Sequence, residues 1–308
     1  MIRARELSKR YRGAAVLDRV SFRASAGERI AVLGVNGAGK TTLFRCLLGL
    51  TDFDGTLEVA GEVVGPGAVE VRRRIGYVPQ LPPVFDLTLA GFLELFADVR
   101  EIPVERAAAR LDDLGLPLDR SGHKPLRELS GGMLQKAYLA LALAAEAPVL
   151  LLDEPTASLD PRSRREFVRL LDRVPPATTI VLASHRLEEI EPLTGRLLVL
   201  QRGRVAFDGS LAELRAATGM RSRLWLSTSE ESRSRVASAV RQLPFVRDAC
   251  ANGHGIHVDA DAAFHVSLLV ELEQRGLPVA EFRTHPPALE DVLERLAESA
   301  ESGTGRLG

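Results

Sequence analysis

Gly34-Val35-Asn36-Gly37-Ala38-Gly39-Lys40-Thr41 fits the pattern G-x-x-x-x-G-K-[ST], and its flanks decide how it reads. Upstream, Arg29-Ile30-Ala31-Val32-Leu33 is a compact apolar run that predicts a buried strand. Downstream, Leu43, Phe44, Leu47 and Leu48 share one face of a predicted helix. A glycine-rich loop in that setting turns several backbone N–H groups inward, and the helix N-terminus adds positive potential. The product is a cradle for nucleotide phosphates. Gly34, Asn36, Gly37, Gly39 and Thr42 belong to it, Lys40 brings a point charge to the β and γ phosphates, and the Thr41 hydroxyl is placed to bind Mg²⁺. A chance glycine-rich turn would not come with both flanks.

A second stretch answers the first. Val149-Leu150-Leu151-Leu152 predicts a strand buried on both faces, and it delivers Asp153 and Glu154 to the C-terminal sheet edge, where ligands bind in open α/β folds. Asp153 is a candidate Mg²⁺ ligand, and Glu154 is a candidate to orient or deprotonate an attacking water.

Working outward, Val20-Ser21-Phe22-Arg23 alternates as a strand, and Gly55 to Val64 suggests a hairpin broken at Gly61. From Leu87 to Ala147 the pattern is helical, with Pro103 suited to a helix start and Gly115 to its end. Apolar runs then return at Thr179 to Ala183 and Arg196 to Leu200. Strands separated by helices predict a parallel sheet covered on both faces, in a first domain over 1–217. Residues 218–298 read as strand, helix, two strands about an Asn252-Gly253 turn, helix, strand and a last helix over Ala288 to Glu298. That order predicts a small α+β, ferredoxin-like accessory, dimerisation or regulatory domain. A small, polar tail over 299–308 is expected to fray.

Bulk properties narrow the class. The chain has 308 residues, 45% hydrophobic and 26% charged, with a formal net charge of −1. That balance lacks the basic excess of a nucleic-acid binder, so no nucleic-acid partner is expected. Cys46 and Cys250 make no disulfide framework, which suits a reduced compartment. The N-terminus lacks the apolar core of a signal peptide. The most apolar stretch, Leu139 to Leu152, is interrupted by Glu146 and Pro148 and falls short of the roughly 20 residues of a spanning helix. Any service to a membrane is expected to go through a partner.

Between the loop and the acidic strand lies Leu129-Ser130-Gly131-Gly132-Met133, and with it the sequence resembles the ABC ATPases, whose signature is L-S-G-G-Q. Ser130 is a good helix cap, and Gly131 and Gly132 expose N–H groups to an anion. Tyr11 resembles the family's adenine-stacking aromatic, and Gln80 the glutamine that contacts Mg²⁺ or water. Ser158-Leu159-Asp160 resembles the loop crossing the dimer interface, and His185 the histidine that contacts the γ-phosphate. Met133 departs from the family, since methionine donates no hydrogen bond. The resemblance implies a P-loop NTPase fold, an ABC ATPase domain with antiparallel β and helical subdomains. It implies ATP and Mg²⁺, catalytic roles for Glu154, His185, Gln80 and Lys40, and a nucleotide shell completed by Ser130, Gly131, Gly132 and Asp160. It also implies a head-to-tail homodimer on the cytoplasmic face of the cell membrane, coupled to a separate multi-span transmembrane subunit.

The last stretch, His285 to Val292, resembles an element that closes ABC ATPases of the ABC-2 exporter type. It is also similar to the ATPase of the transporter used in nitrous-oxide reductase maturation. The competing reading is a soluble ABC ATPase of DNA repair or translation. A long coiled-coil insertion, paired zinc cysteines or a second ATPase domain would mark it, and the sequence has none. His254, His257, His265 and His285 raise a metal site as an alternative, but their spacing favours scattered surface histidines.

Overall fold

A computed structural model describes every residue except 66, 158, 186–192, 219–221, 253–254, 261–263, 286–291, 294–295 and 297–308. The expected tail and most of the expected last helix therefore lie outside the described residues, as do Ser158 and the Gly253 half of the expected turn. Two compact units divide the chain, Met1–Ser210 and Leu211–Gly308.

The first unit holds two sheets. β1 (Ile2–Tyr11), β2 (Ala14–Ala24), β4 (Asp54–Val59) and β5 (Glu62–Val63) form an antiparallel sheet in the order β2-β1-β4-β5. The Ala60-Gly61 corner between β4 and β5 is left-handed at both residues, which glycine tolerates and alanine does not favour. The larger sheet runs β10-β9-β3-β8-β7-β6, using β3 (Arg29–Leu33), β6 (Ile75–Val78), β7 (Val149–Asp153), β8 (Thr179–Ser184), β9 (Arg196–Gln201) and β10 (Arg204–Gly209). Its strands from β6 to β9 are parallel, and β10 folds back antiparallel on β9. β7 and β8 are buried at every position, which is why they read as unbroken apolar runs.

Helix α1 (Lys40–Leu47) follows the loop and buries Leu43, Phe44 and Leu47 in the core between the two sheets. The helical region holds α2 (Val69–Arg73), α3 (Leu89–Arg100), α4 (Val104–Asp113), α5 (Leu118–Ser121) and α6 (Gly131–Ala144). The Thr88 hydroxyl caps α3 by accepting from Gly91 N–H at 3.1 Å. Pro103 stands at the N-cap of α4, and Gly115 is left-handed just past its end. α6 is buried almost all round, through Leu134, Ala137, Leu139, Ala140, Leu141 and Ala144. α7 (Pro161–Asp172) links β7 to β8.

The second unit begins with α8 (Leu211–Thr218). β11 (Ser222–Ser227), α9 (Glu230–Arg241), β12 (Val246–Asn252), β13 (Gly255–Ala260), α10 (His265–Gln274) and β14 (Glu281–His285) follow. Its sheet is antiparallel in the order β12-β13-β11-β14, and Leu224, Leu226, Val236, Val240, Ile256, Val258, Leu268 and Leu272 form its core. His265, expected on the surface, is buried at the start of α10, whereas His257 is exposed. Among the described residues, no group of three or more His, Cys, Asp and Glu side chains could hold a metal ion, and no helix is long and apolar enough to cross a membrane.

Candidate active site

The loop 34–39 leaves β3 at the C-terminal edge of the parallel sheet and enters α1. Its two left-handed glycines do different work. A Cβ on Gly39 would stand 2.8 Å from Val16 O and from the Leu17 side chain, so the backbone there is pressed against β2. A Cβ on Gly37 would meet nothing within 4 Å, so that turn faces open space. The space is a cleft of about 310 Å³ lined by Val16, Val35, the loop from Asn36 to Thr42, Gln80 and Glu154. The loop therefore borders an open cleft at a helix N-terminus, a place that favours an anion such as a phosphate.

Four polar side chains converge there. Lys40 is buried, and its Nζ donates to Gly34 O at 2.6 Å and lies 3.4 Å from Glu154 Oε1. The other oxygen of Glu154, Oε2, lies 2.8 Å from His185 Nδ1. Glu154 is itself buried, with a left-handed backbone at φ 48° and its N–H bonded to Ala183 O at 3.0 Å. A non-glycine residue held in that conformation beside a cleft marks strain kept at a working position. Gln80, just past the end of β6, reaches the same cleft.

Asp153 stands one residue earlier, at the end of β7, and is fully buried. Neither of its carboxylate oxygens closes a hydrogen bond with the protein. Burial pushes this carboxyl up from the usual carboxylate range. The Thr41 hydroxyl, near it but outside bonding geometry, pulls the other way, and the Glu154 charge adds to the rise. A buried carboxylate without partners is a cost that a bound cation removes. The donor set, a carboxylate beside a hydroxyl at the foot of a phosphate loop, fits Mg²⁺.

The remaining sequence candidates lie apart from this cluster. Tyr11, at the end of β1, is 39% exposed and pairs with Ala14, two residues before the cleft-lining Val16. Ser130 caps α6, its hydroxyl accepting from Met133 N–H at 3.3 Å, and with Gly131 it is exposed. Asp160 caps α7, accepting from Arg162 N–H at 2.9 Å, Ser163 N–H at 3.0 Å and Ser163 Oγ at 2.7 Å. The Ser163 N–H and hydroxyl hold its carboxyl down to about 2. None of Ser130, Gly131, Gly132 and Asp160 lines the cleft. Val16 lines the cleft as well, and the sequence pattern does not single it out. Its carbonyl packs against Gly39 and Gly203, where a side chain would collide with it.

A phosphate loop between strand and helix, facing two successive carboxylates at the end of β7, a parallel strand of the same sheet, defines a P-loop nucleoside triphosphatase. A family model described as ABC transporter matches residues 17–157. The daunorubicin resistance ATP-binding protein DrrA3 of Streptomyces coeruleorubidus is 43% identical over 219 residues, 68% of this chain and 68% of that protein. The Nod factor export ATP-binding protein I of Burkholderia thailandensis is 39% identical over 212 residues, 67% of this chain and 69% of that one. The chain belongs to the ATP-binding subunits of ABC transporters and is an ATP-hydrolysing ABC ATPase. Solved structures agree. An ATP-binding subunit of an ABC transporter superposes with a TM-score of 0.66 at 28% identity, covering 71% of this chain and 93% of that one. A dimeric ATP-binding cassette bound to ADP and Pi gives 0.63 at 25% identity, covering 68% and 99%.

Proposed function

We propose that two copies of this chain clasp ATP head to tail, and that hydrolysis drives a separate multi-span membrane subunit in export. One observation carries the dimer. The cleft holds Lys40, Thr41, Gln80 and Glu154, while Ser130, Gly131 and Gly132 offer an anion-binding helix start outside it. A second copy turned head to tail brings that helix start to the open side of the cleft. Met133, which donates no hydrogen bond where the family has glutamine, weakens or alters the nucleotide contacts without abolishing the site, because the serine and glycines make the anion contacts.

In this reading Tyr11 stacks on adenine, the loop from Gly34 to Thr42 wraps the phosphates, and Asp160 stands near the interface. Thr41, Asp153 and Gln80 would hold Mg²⁺, which neutralises charge developing on the β and γ phosphate oxygens. Lys40 now faces Glu154. When a γ-phosphate takes the ammonium, Glu154 is released to orient a water and accept its proton, steadied by His185.

The membrane partner is supported by an apolar groove of about 240 Å³, lined by Leu48, Leu50, Tyr77, Phe92, Phe96 and Tyr138 among others. Strand β6 lines the groove through Tyr77 and leads to Gln80 in the cleft, and Leu81, the next residue, is 84% exposed. Export is supported by the names of the relatives, which concern drug resistance and Nod factor export. The narrower likeness to a copper-enzyme maturation transporter rests on His285 to Val292, most of which lies outside the described residues. The place implied is the cytoplasmic membrane face. We take the ATPase domain as 1–217 and the following unit as a ferredoxin-like accessory domain, a reading supported by the strand order β12-β13-β11-β14.

Glu154→Gln tests the site. It should dimerise in ATP, as read by light scattering after gel filtration, and lose turnover. Turnover equal to the wild type would overturn the role of Glu154.

A further inference from the structure

We infer that Lys9 is a positioning residue for base recognition: its ammonium, pinned by Asp52, occupies one face of the Tyr11 ring and leaves the other for a purine. This rests on the reading of Tyr11 as the adenine platform. Lys9 and Tyr11 stand two apart on β1, on one side of the strand. Lys9 is 6% exposed, and its Nζ lies 2.7 Å from Asp52 Oδ1 and 4.9 Å from the centre of the Tyr11 ring. That is within cation–π range, so one ring face is taken.

Geometry makes the pin directional. The Lys9 stem is enclosed, while Asp52 reaches it from solvent with a side chain 89% exposed. Asp52 itself lies just past α1, the helix whose N-terminus receives the phosphates. Contacts therefore join Asp52, Lys9 and Tyr11 in series. An exposed tyrosine without such a clamp samples several rotamers, and a ligand must order it. Here the ring is ordered before the base arrives.

The test is calorimetric titration of the full chain with MgADP, which carries the base, and with inorganic pyrophosphate, which does not. Lys9→Met should weaken ADP about 3- to 10-fold and leave pyrophosphate within about twofold. Lys9→Arg, which keeps both the ion pair and the ring contact, should restore ADP to within about twofold. Asp52→Asn should fall between wild type and Lys9→Met. Equal losses for ADP and pyrophosphate in Lys9→Met would overturn the inference, since general damage would then explain them. Tyr11→Ala separates the premise. If it does not change ADP affinity, the platform itself fails. If it weakens ADP while Lys9→Met does not, the platform stands and the role of Lys9 falls.

Discussion

Asp153→Asn should make the ligand-free protein more stable while depriving it of its response to magnesium. The carboxylate is fully buried, both oxygens lack hydrogen-bond partners, and burial raises its pKa. Replacing the charge by an amide relieves most of that cost, although the amide still lacks partners. The expected gain is about 1–3 kcal/mol. For a unit of the size of Met1–Ser210 this corresponds to a rise of about 2–12 °C in Tm. A pKa raised in the folded state adds stability that is full below the unfolded value and lost as pH rises through the folded one. The gap between variant and wild type should therefore be widest at neutral pH and close in acid. Thermal melts followed by fluorescence, without ligand, with MgADP and with ADP plus chelator, read all three effects. The wild type should gain more from MgADP than from ADP with chelator, and the variant should gain equally from both. A variant that melts below the wild type without ligand, or a gap that widens in acid, would refute the reasoning.

Two further outcomes follow from the loop and the thiols. Gly39→Ala, at φ 107° with a backbone oxygen 2.8 Å from the new Cβ, should cost more than about 2 kcal/mol in urea unfolding, whereas Gly37→Ala, with open space, should cost about 1; equal costs would contradict the assigned geometry. Burial pushes the Cys46 thiol up to about 11, while Cys250 is exposed. A thiol reagent at neutral pH should therefore label only Cys250 in the folded chain and both in denaturant; native labelling of Cys46 would count against the core described around α1.

Local pattern made much of this architecture legible. β3, β7, β8 and β9 announce themselves as apolar runs because both their faces are covered, and α1 by its spaced Leu43, Phe44 and Leu47. β6 and β10 were less visible. Ile75–Val78 contains a glycine whose absent side chain makes room for the Ala142 carbonyl of α6, and Arg204–Gly209 alternates as a partly solvated edge strand. At the site, residue types were readable because phosphate chemistry demands them. The link between Glu154, Lys40 and His185 was not, since those residues are brought together only by sheet register.

Glu154 is tied by its own N–H to the carbonyl of Ala183 on the adjacent strand β8. Its height above the sheet edge is thus fixed by main-chain alignment, with little left to side-chain packing. Substitutions that swap one aliphatic group for another inside β7 or β8 should leave the carboxylate where it is. A slip of a single residue between those strands would move it by more than 3 Å, out of reach of both the lysine and the histidine.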